Sequence, residues 1–232
     1  MMNSEATKKE TSMQGIIVVN KSQGMTSHDV VMKMRRKFKI QRVGHAGTLD
    51  PLATGVLVVL FGKATKLFSK FVSFDKAYRA TLKLGTTTDS ADTEGKILKE
   101  SSYDHITLED LEAAMKKFSG PIKQIPPMVS AIKHKGKKLY QLARKGISVE
   151  RKPRDVVIYD LHIVDFSPPH VKFYLECSKG TYVRQIADDI GTELGCGACI
   201  TQIERIKVGP FQIEDAHQIE GINESYLRNW EG

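Results

Sequence analysis

The densest concentration of reactive residue types in the chain is Arg42-Val-Gly-His-Ala-Gly-Thr-Leu-Asp-Pro-Leu-Ala-Thr-Gly55. Gly44, Gly47 and Gly55 open backbone angles closed to other residues, and Pro51 pushes Asp50 toward an extended conformation. Such a loop can hold a carboxylate clear of the backbone for nucleophilic or acid–base work, with Arg42 and His45 close in sequence. Taken alone, an Asp-Pro pair is more often a turn with an exposed carboxylate. A second concentration is electrostatic. Between Lys133 and Arg154 nine Lys/Arg face one acid, Glu150, and Tyr140 and Leu142 interleave with the charges. That pattern suits a clamp on a nucleic-acid backbone. Lys33, Arg35, Arg36, Lys37, Lys39 and Arg42 form another basic cluster leading into the Asp50 loop.

Other motifs carry less. Cys196-Gly-Ala-Cys199 has C-x-x-C spacing with no second pair to complete a zinc site, so the cysteines read as packing residues. Acids at Asp89 and Glu100 stand at the first and twelfth positions of a possible calcium loop, but Gly95 falls at the seventh, not the sixth. No phosphate-binding loop, H-E-x-x-H or G-x-S-x-G occurs.

Composition sets the frame. The 232 residues hold 35 Lys+Arg against 27 Asp+Glu, a formal charge of +8, and 41% are hydrophobic. That length supports a buried core, and the basic balance favours a polyanionic partner. The longest apolar run, around Gly55–Phe61, is far too short to span a membrane. Residues 1–12 lack the apolar stretch of a secretion signal and read as a disordered polar tail. Three cysteines fit a reducing cytoplasm better than a disulfide framework.

The positioning elements follow from periodicity. Gly15–Val19 reads as a buried strand, and Thr26-Ser27 caps a helix over His28–Phe38. Residues 39–54 read as one loop, Val56–Phe61 as a strand, and Lys63–Phe71 as a short helical stretch. Ala77–Leu84 alternates as a strand, followed by a loop from Gly85 to Gly95. Thr107 and Asp110 suggest a capping box for a helix ending near Phe118. Val156–Val164, Val171–Cys177 and Ile200–Val208 read as strands, and Thr181 as the cap of a helix reaching about Leu194. The tail after Phe211 holds five Asp/Glu and one Arg. Mixed element order implies an α+β fold.

Gly44-His-Ala-Gly-Thr-Leu-Asp-Pro-Leu-Ala-Thr-Gly-Val-Leu57 resembles the signature of the TruB family, the bacterial tRNA pseudouridine-55 synthases. Further similar segments follow in order: Gly15–Ser27, Asp75–Arg79, Thr88–Gly95, Gln124–Pro127, Gly136–Tyr140, Cys177–Arg184 and Leu194–Ala198. The resemblance spans about residues 14–211. It implies the pseudouridine-synthase fold, a mixed and mostly antiparallel sheet flanked by helices and loops. One catalytic domain would cover 13–232, with the basic clamp at 121–155. It further implies Asp50 as the catalytic carboxylate, Arg184 as its partner, and Tyr78 as a stacking platform with a catalytic hydroxyl. His45, Tyr182, Ile203 and Lys21 would contact or line the substrate site. Four positions depart from the family's usual residues: Ser22 for Pro, Val129 for Tyr, Ile203 for Leu and Glu204 for Arg. Stand-alone members commonly carry a C-terminal RNA-binding domain of the PUA type, and about twenty residues after Phe211 are too few for one.

The implied reaction isomerises uridine in the T loop of tRNA. The C1′–N1 bond breaks, the base turns, and C1′ joins C5. No electrons are exchanged, so no redox cofactor is required, and the resemblance implies neither a cofactor nor a metal. One carboxylate suffices, whereas a hydrolytic glycosidase needs two, and a second would activate water to trap the intermediate. The target base must first leave its stack, which an aromatic platform offsets. The implied partner is the tRNA T stem-loop alone, bound by a monomer without guide RNA or protein partner. The other reading is a tRNA chaperone that opens the tRNA elbow, with isomerisation secondary or lost.

Overall fold

Apolar runs become strands, and capped amphipathic stretches become helices, giving a mostly antiparallel α+β arrangement. The computed structural model describes residues 13–230; the tail expected over residues 1–12 lies outside them. The principal strands are β1 (Gly15–Lys21), β2 (Val43–Ala46), β3 (Thr54–Phe61), β4 (Lys76–Leu84), β5 (Gly120–Gln124), β6 (Arg154–Ser167), β7 (His170–Cys177), β8 (Ala198–Val208) and β9 (His217–Gln218). The α-helices are α1 (Ser27–Phe38), α2 (Phe68–Val72), α3 (Leu108–Lys116), α4 (Leu139–Ala143) and α5 (Val183–Glu193). The chain divides into two compact units, the first made of residues up to Ala77 and from Glu204 onward, the second of Tyr78–Ile203.

The first unit is organised by β3, whose residues from Gly55 to Phe61 are all buried. One edge of β3 pairs antiparallel with β1, Val18 opposite Val58. The other edge is shared. β2 pairs antiparallel with its far half, from Ala46 opposite Val58 to Val43 opposite Phe61, while β8 pairs parallel at Thr54 and Gly55. Ile16, Val56, Val58, Leu60, Phe71 and Phe211 share one core cluster. Each such burial contributes about 1.5–3 kcal/mol, so this strand outweighs any single polar contact in the unit. Trp230 closes the cluster, its ring centroid 5.2 Å from those of both Phe71 and Phe211. On α1, Thr26 and Asp29 form a reciprocal capping box, and Val30, Val31 and Met34 are buried.

The stretch 39–54, expected to be one loop, contains β2. Glycine at position 44 disguises a four-residue strand whose ends, Val43 and Ala46, are buried. The loop proper begins at Gly47, where the chain leaves β2, and ends where β3 meets β8.

In the second unit the strand order is β4-β7-β6-β5, with β6 antiparallel to both β7 and β5. Thr107 and Asp110 cap α3 reciprocally, as expected. Thr181 does not cap α5. Its hydroxyl donates to the Ser178 carbonyl at 3.0 Å, and the helix starts at Val183 with Tyr182 in the capping position. The Tyr182 N–H instead donates to Gln124 Oε1 at 2.8 Å, and Gln124 Nε2 donates back to the Tyr182 carbonyl at 3.1 Å. A neighbouring strand thereby does the work that a local side chain was expected to do. Among the described residues no helix is long and apolar enough to cross a membrane.

Candidate active site

The loop bearing Asp50 is fastened at four levels by groups of its own unit. At its start and end, the buried Arg205 of β8 donates from its second terminal nitrogen to the Gly47 carbonyl at 3.0 Å and from Nε to the Val56 carbonyl at 2.8 Å. Next to the carboxylate-bearing residue, Ser27 Oγ accepts from the Leu49 N–H at 2.8 Å and donates to the Leu49 carbonyl at 3.1 Å. On the other side, the Pro51 carbonyl accepts from the Gly24 N–H at 2.8 Å. Lys21, fully buried, directs Nζ to the carbonyls of Met25 (2.7 Å), Ser22 (3.0 Å) and Pro51 (3.4 Å). A turn bond from the Ala53 N–H to the Asp50 carbonyl, 3.1 Å, completes the local shape.

Glycine is required where this loop re-enters the sheet. Gly55 has φ +97°, and a Cβ there would stand 2.2 Å from the Arg205 carbonyl oxygen. Any side chain would therefore push β8 from β3 and carry Arg205 with it.

His45 sits on β2 just before the loop. Burial, then the positive charge of Arg205 and that of His28, push its pKa down to about 4, so the imidazole is neutral at physiological pH. Its buried Nδ1 has no hydrogen-bond partner. A cleft of about 540 Å³ runs beside it, lined in part by His28, Arg35, His45, Thr48 and Phe68.

In the second unit, Tyr182 and Arg184 lie at the start of α5. An arginine opening a helix is commonly a surface residue, yet Arg184 is 2% exposed. Its guanidinium donates to the Ser90 and Val129 carbonyls and stands 3.4 Å from the buried Asp92 carboxylate. Ser90 Oγ in turn donates to Asp92 Oδ1. The Arg154 guanidinium lies over the Tyr182 ring, 5.6 Å from its centroid. Tyr78 and Ile203, at the two sequence ends of this unit, are both buried, 8% and 5% exposed.

The basic segment splits by role. Lys133, Lys135, Lys137, Lys138, Arg144 and Lys145 are exposed, while Arg151 turns inward to the Pro126 carbonyl. A hairpin pairing Lys133–His134 with Lys137–Lys138 leads into α4, anchored by buried Leu139 and Leu142. Lys138 and Arg144 flank the Tyr140 ring at 5.6 and 5.5 Å. The basic cluster preceding the loop is partly engaged with protein. Arg35 donates to the Val43 carbonyl, Lys37 to that of Glu220, and Arg42 to Thr65. The three cysteines are buried, in keeping with packing.

The structure brings Lys21 and His45 to the loop that bears Asp50, and two buried groups were not foreseen from the sequence: Arg205, which holds that loop, and, in the second unit, Asp92 beside Arg184. A signal existed for Arg205. It follows the apolar Ile203 by two residues in a strand, and so shares its buried face.

A family model described as TruB family pseudouridylate synthase, N-terminal domain, matches residues 35–183, and one described as tRNA pseudouridylate synthase B C-terminal domain matches residues 184–231. The chain belongs to the TruB family. Among TruB relatives, the tRNA pseudouridine synthase B of Francisella philomiragia is 46% identical over 94% of this chain and 72% of its own length. That of Syntrophotalea carbinolica is 49% identical over 90% and 69%, and that of Clostridium tetani 47% over 94% and 75%. Among solved structures, a Cbf5–Nop10–Gar1 complex matches with a TM-score of 0.71 and 26% identity over 95% of this chain and 60% of that one. An archaeal box H/ACA Nop10–Cbf5 complex matches with a TM-score of 0.68 and 25% identity over 93% and 55%. The TruB chain thus has the pseudouridine-synthase fold expected of it.

Proposed function

We propose that this enzyme converts uridine to pseudouridine at position 55, in the T loop of tRNA, through Asp50. The observation that carries the reading is the fastening of the Asp50 loop, in a member of a pseudouridylate synthase family. Loops that merely connect strands do not require two buried cations and a buried serine to fix their backbone. A loop that must aim one carboxylate does, because misplacement by about 1 Å costs on the order of a hundredfold in rate.

Asp50 either attacks C1′, displacing N1, and is itself displaced when C5 of the turned uracil bonds to C1′, or removes the C2′ proton as the C1′–N1 bond breaks and returns it as C1′–C5 forms; in both routes the C5 proton then leaves. Tyr78 supplies the ring against which the flipped base stacks, and its hydroxyl accepts that last proton. Arg184 provides the positive charge that orients the reacting carboxylate, with Tyr182 and Ile203 as lining. His45, neutral, inserts its ring among the bases of the opened loop and does not pair with a phosphate. Lys21 acts from beneath the loop. The exposed cations between Lys133 and Lys145 grip the T-stem backbone. The enzyme acts in the cytoplasm as a monomer, with no guide RNA, protein partner or cofactor.

The test is incubation with an unmodified tRNA transcript, without added metal or nucleotide, followed by mapping of pseudouridine. Product at position 55 supports the reading. Tight binding with no product after hours would replace it with a chaperone role, and product elsewhere would overturn the site.

A further inference from the structure

The guanidinium of Arg205 holds both ends of the Asp50 loop, at Gly47 and at Val56, and its charge also bears on His45. It is delivered by β8, whose backbone at Arg205 is in register with Gly55 and passes too close to admit a side chain there. A lone apolar side chain would fill the space more easily, since burying a guanidinium costs free energy unless its donors are matched. The matched donors point to a use that packing alone does not need.

From this geometry we infer that Arg205 is a positioning residue for the isomerisation: it joins the two ends of the loop that aims Asp50 and so sets that loop's span, with its guanidinium placed beside His45. The inference rests on the reading of Asp50 as the reacting carboxylate. Arg205 acts through Asp50 and His45 and needs no contact with RNA. Among the described residues, the charged or titratable groups that face His45 include Arg205 from β8 and His28 and Arg35 from α1, so removing Arg205 leaves the two on α1.

The experiment compares Arg205→Met and Arg205→Lys in the full chain with wild type, using an unmodified T-arm hairpin. Three quantities are read: single-turnover rate at saturating RNA, RNA dissociation constant, and the NMR titration of His45 in free protein. Amide exchange over Gly47–Val56 is followed alongside. Arg205→Met is expected to lower the rate about a hundredfold or more while changing the dissociation constant less than about threefold. Its His45 titration moves up from about 4, and the loop amides exchange faster. Arg205→Lys keeps the charge but loses the fork, so it leaves the titration low and restores at least about a tenth of the lost rate. If Arg205→Met does not fold, Arg205→Lys decides: a low His45 titration with faster loop exchange and an intermediate rate supports the inference. Wild-type rate, exchange and titration in either folded variant would overturn it, as would a loss confined to RNA affinity. Should wild type itself make no pseudouridine, the functional reading fails, while titration and exchange still judge Arg205.

Discussion

The Asp50 loop and the basic segment Lys133–Arg154 are both short stretches between strands, yet they are built in opposite ways. The first directs backbone carbonyls onto buried donors: Lys21 below, Arg205 at both ends, Ser27 beside Leu49. The second directs most of its cations outward and is anchored by buried Leu139 and Leu142, by cations stacked on Tyr140, and by Arg151 turned to the Pro126 carbonyl. Chemistry at one atom demands a fixed backbone, because rate falls steeply with misplacement. Grip on a repeating polyanion demands only density of charge, because many arrangements of phosphates satisfy it.

The sharpest way to break this comparison is Asp50→Asn. Removal of the carboxylate proposed to react should lower turnover by about 10⁴-fold or more, roughly 5.5 kcal/mol of barrier, and leave RNA affinity within about threefold. Filter retention measures the second and base analysis the first. Turnover within tenfold of wild type would remove Asp50 from the mechanism.

A smaller effect sharpens the buried side of the comparison. His45 binds its proton with a pKa of about 4 when folded and 6.5 ordinarily, so the unfolded chain takes up more protons between those values. Its contribution to stability is complete above about pH 6.5 and is lost as pH falls toward about 4, up to roughly 3 kcal/mol in total. Urea denaturation at pH 7 and pH 5 reads this slope, and His45→Gln should flatten it. An unchanged slope in that variant would place the acid sensitivity elsewhere.

The least costly change addresses the exposed side. Replacing Lys133, Lys137 and Lys145 with Gln should reduce the dependence of log affinity on log salt by about 2 to 3, while the rate at saturating RNA stays near wild type. An identical salt slope would mean that these cations face only solvent.

Much of this contrast was legible in the sequence, though unevenly. The apolar run Val56–Phe61 announced the central strand because every position is buried, and Thr26 and Thr107 announced their helices because both caps are made locally. Asp50 stood out because glycines and proline constrain its backbone whatever the rest of the chain does. The start of α5 was misread because its N–H is satisfied by Gln124, 58 residues away. Arg205 escaped for the same reason: its acceptors are 149 and 158 residues distant, and no local pattern specifies a carbonyl partner. Interactions closed within one turn leave a spelling, and those closed across the chain leave only a buried charge to be explained.

That distance has a consequence for how the enzyme is made. The loop is synthesised early, but the arginine that joins its ends follows Val56 by 149 residues, after the whole second unit. At translation rates of about 5–20 residues per second, the nascent loop waits on the order of ten to thirty seconds for it. During that interval the ribosome carries a chain whose Asp50 loop has been made but whose two ends are not yet joined by Arg205.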